Sequence, residues 1–167
     1  MSTTTNYNDK EKYFTHHKYG SIVRLTSTNY LEWLPQIEAI LQASNGYDYT
    51  QETTREVDVE IENPDYDEND EEPEYIIRRE LRQVPLVERP EPTIIKYEPT
   101  YTLIANTNNR YKANNTQLTR KEHPNPEYEA WLKKSNDTWG IIFGSLSDGC
   151  QGLINRSMST IEAWKTI

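Results

Sequence analysis

The feature that most constrains the fold is a long acidic stretch between two segments with helical periodicity. Residues 58–74 contain ten carboxylates and no lysine or arginine, so repulsion between like charges disfavours a packed helix there. The acidity is local, because residues 51–100 hold 16 acidic and 6 basic side chains while the whole chain carries a net charge of −9. The hydrophobic content of 34% suffices for a modest core, which we expect the flanking segments to supply.

The carboxylates of this stretch are interpreted as a solvated charge run and not as a paired catalytic site. They are Asp58, Glu60, Glu62, Asp65, Asp67, Glu68, Asp70, Glu71, Glu72 and Glu74. Because the ligand spacing of an EF-hand loop is absent, any binding of calcium is expected to be weak and diffuse. We therefore predict no metal site here.

The first periodic segment, residues 28–44, is predicted to be an amphipathic helix. Its apolar side chains recur at the spacing of one helical face, and they are Tyr30, Trp33, Leu34, Ile37, Ile40 and Leu41. Asn29 is the predicted N-cap, with Glu32 completing a box-like cap. Pro35 is expected to kink the helix, and Asn45-Gly46 to end it.

The second periodic segment, residues 125–147, is predicted to be one long helix that begins with Asn125 as N-cap and Pro126 in the first turn. Its apolar stripe consists of Tyr128, Trp131, Leu132, Trp139, Ile142, Phe143 and Leu146. Asp148-Gly149 is the expected end of this helix. Ser159 and Glu162 then form a capping-box pattern that opens a short helix carrying Trp164.

These elements predict an all-α fold, a small helical bundle with a long acidic insertion. Residues 1–20 are expected to be a flexible arm, residues 21–50 and 122–167 the helical domain, and residues 51–121 the acidic, proline-containing insertion. The insertion is predicted to be largely disordered, with a β-ribbon as the alternative, because two stretches alternate like strands: Val57, Val59 and Ile61, then Ile94, Ile95, Tyr101 and Leu103. Trp33 is expected to pack near Trp131 or Trp139.

No combination of residues in the sequence indicates catalysis, so we predict a protein that is not an enzyme and needs no cofactor or metal. Cys150 and His123 could form a nucleophile and base, but an inert thiol is the favoured interpretation because no third group orients them. All four tryptophans lie on apolar helix faces. Core packing is therefore favoured over base stacking, since the nearby lysines lie off those faces.

The sequence also predicts where such a protein resides and what it does not bind. The N-terminus has no apolar signal segment, and the longest apolar run is too short to cross a bilayer. We therefore expect a cytoplasmic protein without a membrane partner. The overall acidity argues against direct binding of duplex nucleic acid, which depends on neutralising phosphates with lysine and arginine.

Two blocks of residues carry a resemblance to a known family. The first is Leu25-Thr26-x-x-Asn29-Tyr30-x-x-Trp33 continuing through Ile37 to Leu41, and the second is Trp131, Trp139-x-Ile141-Ile142-x-x-Ser145-Leu146 followed by Ala163-Trp164-Lys165. In this order they resemble the N-terminal, capsid-region part of Gag polyproteins from copia-type LTR retrotransposons. The resemblance covers residues 22–49 and 127–167.

The resemblance implies an all-helical structural domain that associates with further copies of itself. In that family the full-length protein packages RNA in cytoplasmic particles, and here RNA binding would depend on downstream regions that this sequence lacks. The sequence departs from the family in the long insertion, and it contains neither the zinc-knuckle motif nor the protease and polymerase motifs. It therefore implies a truncated Gag, a gene fragment or a domesticated remnant.

A second hypothesis comes from the insertion and not from the helices. In this hypothesis the chain is a non-enzymatic host adaptor, the acidic insertion binds a basic protein partner, and the helices only hold the insertion in place. The genomic context would discriminate between the two hypotheses. Many decayed copies followed by protease and polymerase sequence indicate an element, whereas a single intact locus indicates an adaptor.

Overall fold

The computed structural model describes residues 11–69, 71–103 and 111–167, with side chains described for 11–69, 71–100 and 117–167. In chain order its elements are β1 (Tyr13–His16), β2 (Gly20–Val23), α1 (Tyr30–Ala43), a 3-10 helix (Tyr47–Thr50), β3 (Glu52–Glu62), β4 (Tyr75–Pro85), β5 (Thr93–Leu103), β6 (Tyr111–Pro124), α2 (Pro126–Gly144), α3 (Asp148–Gln151) and α4 (Thr160–Thr166). The fold is therefore mixed α and β. The predicted all-α class is wrong.

The error lies mainly in residues 51–121, which were expected to be largely disordered. Strands β3 and β4 pair antiparallel, and so do β5 and β6, so the described part of the insertion consists of two β-ribbons. The physical reason is the alternation of side chains along a strand, which places the carboxylates of β3 on one face, in water, and its aliphatic side chains on the other. The charges therefore need not be desolvated for the segment to become ordered.

The predicted N-terminal arm also needs correction. Residues 1–10 lie outside the described part of the chain, but β1 lies within the expected arm and pairs antiparallel with β2, which begins at the last residue of that arm. Gly20 has φ +87°, a backbone conformation that glycine adopts without steric cost. Ile22 of this hairpin is buried in the core, so the segment from residue 13 onward is part of the fold.

The chain divides into two compact units, residues 1–88 with 135–167 and residues 89–134. The first unit contains a hydrophobic core from β2, α1, the later turns of α2, and α4. Its buried apolar residues are Ile22, Leu25, Trp33, Ile37, Ile40, Leu41, Ile141, Ile142, Leu146, Ile154 and Ala163. The second unit contains the β5–β6 ribbon and the first turns of α2.

Helix α1 begins and ends where the sequence predicts, but the side chain of its N-cap residue does not cap the helix. The Asn29 side chain makes no bond to the helix; its Oδ1 accepts from the Thr26 N–H at 2.7 Å, and its Nδ2 donates to the Arg24 carbonyl at 2.8 Å. The helix continues through Pro35. At its end Asn45 has φ 58°, and the Gly46 N–H donates to the Leu41 carbonyl at 2.8 Å, which is a Schellman motif.

Helix α2 starts as predicted, and its buried face includes only part of the predicted stripe. Asn125 is buried and its Oδ1 accepts from the Glu127 N–H at 3.1 Å. The buried residues of the helix are Thr138, Ile141 and Ile142, whereas Leu132 is exposed. The helix ends at Gly144 and not at residue 147, because the next residues leave the helix to pair with the segment at Leu25.

Candidate functional site

The two family-like blocks meet in the core of the first unit. Leu25 forms a parallel bridge with Leu146, in which the Leu25 N–H donates to the Ser145 carbonyl at 2.8 Å and the Ser147 N–H donates to the Leu25 carbonyl at 3.0 Å. The Arg24 guanidinium adds a bond to the Gly144 carbonyl at 2.7 Å. Backbone pairing and side-chain burial thus join chain segments that lie on either side of the whole insertion.

Aromatic rings make the second junction between the blocks. The Trp33 ring lies 6.1 Å from the ring of Trp164 and 5.9 Å from that of Tyr30, measured between centroids, and Tyr47 meets Trp164 edge-on. The prediction that Trp33 is buried is confirmed, since its exposed fraction is 1%. The expected ring partners were wrong, because α4 and not α2 brings a tryptophan to Trp33.

The remaining residues of the two motifs differ in their burial and in their contacts. Leu25, Ile37, Leu41, Ile142 and Leu146 are buried in the core, and Trp139 and Trp164 pack against it half-buried. Tyr30 is exposed, and Asn29 bonds to the preceding backbone. Trp131 lies in the second unit, where its ring stacks on that of Tyr128 with centroids 6.0 Å apart.

The capping box predicted at the start of α4 is confirmed. The Ser159 Oγ accepts from the Glu162 N–H at 3.2 Å, and the Glu162 carboxylate accepts from the Ser159 N–H at 3.0 Å. Thr160 is buried and its hydroxyl donates to the Ser135 carbonyl at 3.2 Å. This short helix is therefore held by its cap, by α2 and by the contact of Trp164 with Trp33.

The acidic residues divide between a strand and the loop after it. Asp58, Glu60 and Glu62 belong to β3, whereas those from Asp65 to Glu74 lie in the loop that leads to β4, with Asp70 outside the described residues. Buried Asn63 anchors this loop, since its N–H donates to the Glu74 carbonyl at 2.8 Å and its Nδ2 to the Pro73 carbonyl at 2.9 Å. Among the described loop carboxylates none forms a salt bridge.

The β3–β4 ribbon has two chemically different faces. One face carries a row of acids from β3 beside a largely apolar row from β4, and we call it the acidic–apolar face: Glu56, Asp58, Glu60 and Glu62 with Tyr75, Ile77, Arg79 and Leu81. The other face carries Val57, Val59 and Ile61, which lie opposite Glu80, Arg78 and Ile76. The sequence analysis found the acids of β3 but missed this face, because the strand that pairs with β3 was not identified.

On the other face, Glu80 is flanked by two arginines of its own strand. Hydrogen bonds from Arg78 and then Arg82 lower the pKa of the Glu80 carboxyl below its usual value. In the second unit, a hydrogen bond from Lys121 lowers the pKa of Glu98, and His123 lies 2.8 Å from the same carboxylate. These half-buried carboxylates form ion pairs on the surfaces of the two ribbons.

In the described part of the chain, no group of three or more histidine, cysteine or carboxylate side chains could hold a metal ion. Over the same residues, no helix is long and apolar enough to cross a membrane. No known protein family, curated protein or solved structure matches this chain.

Proposed function

We propose that the chain is a structural, non-enzymatic assembly protein of the copia-type Gag class. The observation that supports this proposal is the meeting of the two family-like blocks, through the Leu25–Leu146 bridge and the Trp33–Trp164 contact. The two blocks thus belong to one hydrophobic core, as the segments of a single capsid-region domain would. In this proposal the family-like blocks supply the core, and the two β-ribbons are inserted in the sequence between them.

In this proposal the chain acts by association with further copies, and the two β-ribbons are additions to a capsid-region core. Repeated patches on the protomer surface would build a symmetric assembly. Packaging of RNA would fall to sequence downstream of this segment, and the assembly would form in the cytoplasm without a membrane partner.

Sedimentation velocity tests the proposal. The 167-residue chain and the same chain extended by the downstream sequence of its own locus should be compared over a wide range of concentration and salt. We expect concentration-dependent association, with defined oligomers for the extended chain. Strictly monomeric behaviour of both proteins, at a locus that lacks any downstream zinc-knuckle, protease or polymerase sequence, would refute the assembly function.

A second candidate function, a non-enzymatic adaptor, is favoured by the state of the loop carboxylates. Asp65, Asp67 and Glu68 are exposed and without ion-pair partners among the described residues, so their charge is available to a basic protein. Titration with a lysine-rich peptide, at low and high salt, tests this candidate. Removing two charges from the loop with Glu71→Gln and Glu72→Gln should weaken the binding, and unchanged affinity would refute a role for the loop.

A further inference from the structure

The acidic–apolar face of the β3–β4 ribbon exposes apolar side chains that the ribbon itself leaves uncovered. Ile77 is 73% exposed, Leu81 is 70% exposed and Tyr75 is 49% exposed. On the opposite face, Val57, Val59 and Ile76 are half-buried. The difference in exposure marks one face of the ribbon as an apolar surface without a partner in the described part of the chain.

The cross-strand register places an acid beside each exposed apolar residue. Ile77 lies opposite Glu60, Leu81 opposite Glu56 and Tyr75 opposite Glu62. Directly opposite side chains on a ribbon are about 5 Å apart, so the acidic row and the apolar row run side by side along one face. The fourth acid, Asp58, lies 3.5 Å from Arg79, which leaves the face with a net negative charge.

The charge of this face selects the chemistry of its partner. A row of carboxylates repels phosphate backbones and anionic lipid headgroups, which excludes nucleic acid and acidic membranes on electrostatic grounds. A basic protein segment gains from the same row, while apolar side chains on that segment cover the exposed apolar row. The matching partner is therefore a protein surface with a basic stripe next to an apolar stripe.

The two parallel rows also select the shape of the partner. A β-strand laid on this face would direct only one row of side chains towards it, because alternate residues point away. A helix presents neighbouring stripes at the same time, since residues three and four apart line one face. From Tyr75 to Leu81 the ribbon extends about 20 Å, a length covered by about 13 helical residues.

We propose that the acidic–apolar face of the β3–β4 ribbon is a docking site for a basic amphipathic helix of a partner protein. The apolar stripe of that helix packs on Tyr75, Ile77 and Leu81, and its lysine or arginine stripe pairs with Glu56 and Glu60. The face is small, so the affinity is of the weak, transient kind. This inference does not depend on the assembly function. It gives the adaptor candidate a defined surface, distinct from the acidic loop.

Fluorescence anisotropy with the full chain and a labelled model peptide tests the proposal. The peptide is a leucine–lysine amphipathic helix with its two stripes adjacent, and it should bind saturably in the micromolar range. Ile77→Ser with Leu81→Ser should weaken binding about tenfold or more, since each removes an anchor from the interface. Glu56→Gln with Glu60→Gln should weaken it about fivefold at low salt and less at high salt.

Matched variants separate this face from the rest of the surface. Leu31→Ser removes an apolar side chain that is 85% exposed on α1, and it should leave affinity for the peptide unchanged. An equal loss from this control, or no saturable binding by the unmodified chain, would overturn the proposal. Glu71→Gln with Glu72→Gln removes two charges from the loop and should weaken binding by less than Glu56→Gln with Glu60→Gln. A loss confined to the loop variant would overturn the proposal and place the site on the loop.

Two further probes test the chemistry of the partner. A peptide with glutamate in place of lysine should not bind, and a scrambled peptide of the original composition should bind much more weakly. If the scrambled peptide bound equally well, the interaction would be unspecific charge attraction, and the proposal would be overturned. Binding of vesicles rich in anionic lipid in preference to the helix would overturn it in favour of a membrane surface. Circular dichroism of each variant verifies that the exposed substitutions leave the fold intact.

Discussion

Replacement of Trp33 measures how strongly the contact between the two blocks stabilises the fold. The side chain is 1% exposed, and a tryptophan of this kind removes about 150–250 Å² from water. At about 25 cal/mol per Å² the burial corresponds to about 4–6 kcal/mol. Alanine retains part of this area and leaves a cavity, so Trp33→Ala should lower the free energy of unfolding by about 3–5 kcal/mol.

The indole nitrogen of Trp33 leads to a related prediction for the replacement of this residue by phenylalanine. Nε1 is buried and has no hydrogen-bond partner among the described residues, and an unpaired buried donor costs about 1–3 kcal/mol. Trp33→Phe loses part of the ring but also removes that donor. Its cost should therefore fall to about 1 kcal/mol or less, far below the cost of alanine.

Urea denaturation followed by far-UV circular dichroism measures both substitutions, since fluorescence would change with the loss of a tryptophan. Leu31→Ala is the control on the same helix, with an expected change within about 0.5 kcal/mol because its side chain is exposed. A double-mutant cycle of Trp33 with Trp164 should give a coupling of about 0.5–1.5 kcal/mol. A Trp33→Ala cost under about 1 kcal/mol, or no coupling to Trp164, would refute the proposed junction.

Three further predictions concern the caps, a close approach and one carboxylate. Ser159→Ala should cost about 1 kcal/mol in urea denaturation, because it removes the capping bond of α4. Gly46→Ala should destabilise by about 1–3 kcal/mol, since its Cβ would clash with the hydroxyl of buried Thr138. In the matched control Gly140→Ala, the new Cβ meets nothing within 4 Å, so this substitution should stabilise by up to about 1 kcal/mol. The lowered pKa of Glu80 implies that its stabilising contribution is complete above the ordinary carboxyl pKa and is lost as the pH falls through the lowered value. An NMR titration checks this, and Arg78→Ala should raise the pKa towards its usual range, whereas an unchanged pKa would contradict the assigned cause.

The sequence by itself determined the features that depend on near neighbours along the chain. The position of α1, the cap at Asn125 and the capping box at Ser159 each involve residues within about one helical turn, so periodicity and cap chemistry suffice to predict them. The burial of Trp33 followed from the same periodicity. The resemblance blocks identified segments that share a core, although the class of fold predicted from them was wrong.

Only the tertiary structure decided which segments pair and which faces are covered. β3 could have remained solvated or paired with any strand-like segment, and its register with β4 places Ile77 and Leu81 beside the acidic row. The ring partner of Trp33 depended on where α4 packs. The buried face of α2 depended on how the chain leaves that helix to pair with Leu25. Such contacts join residues far apart in sequence, and the free energy of each depends on what the partner segment can cover and what it leaves in water.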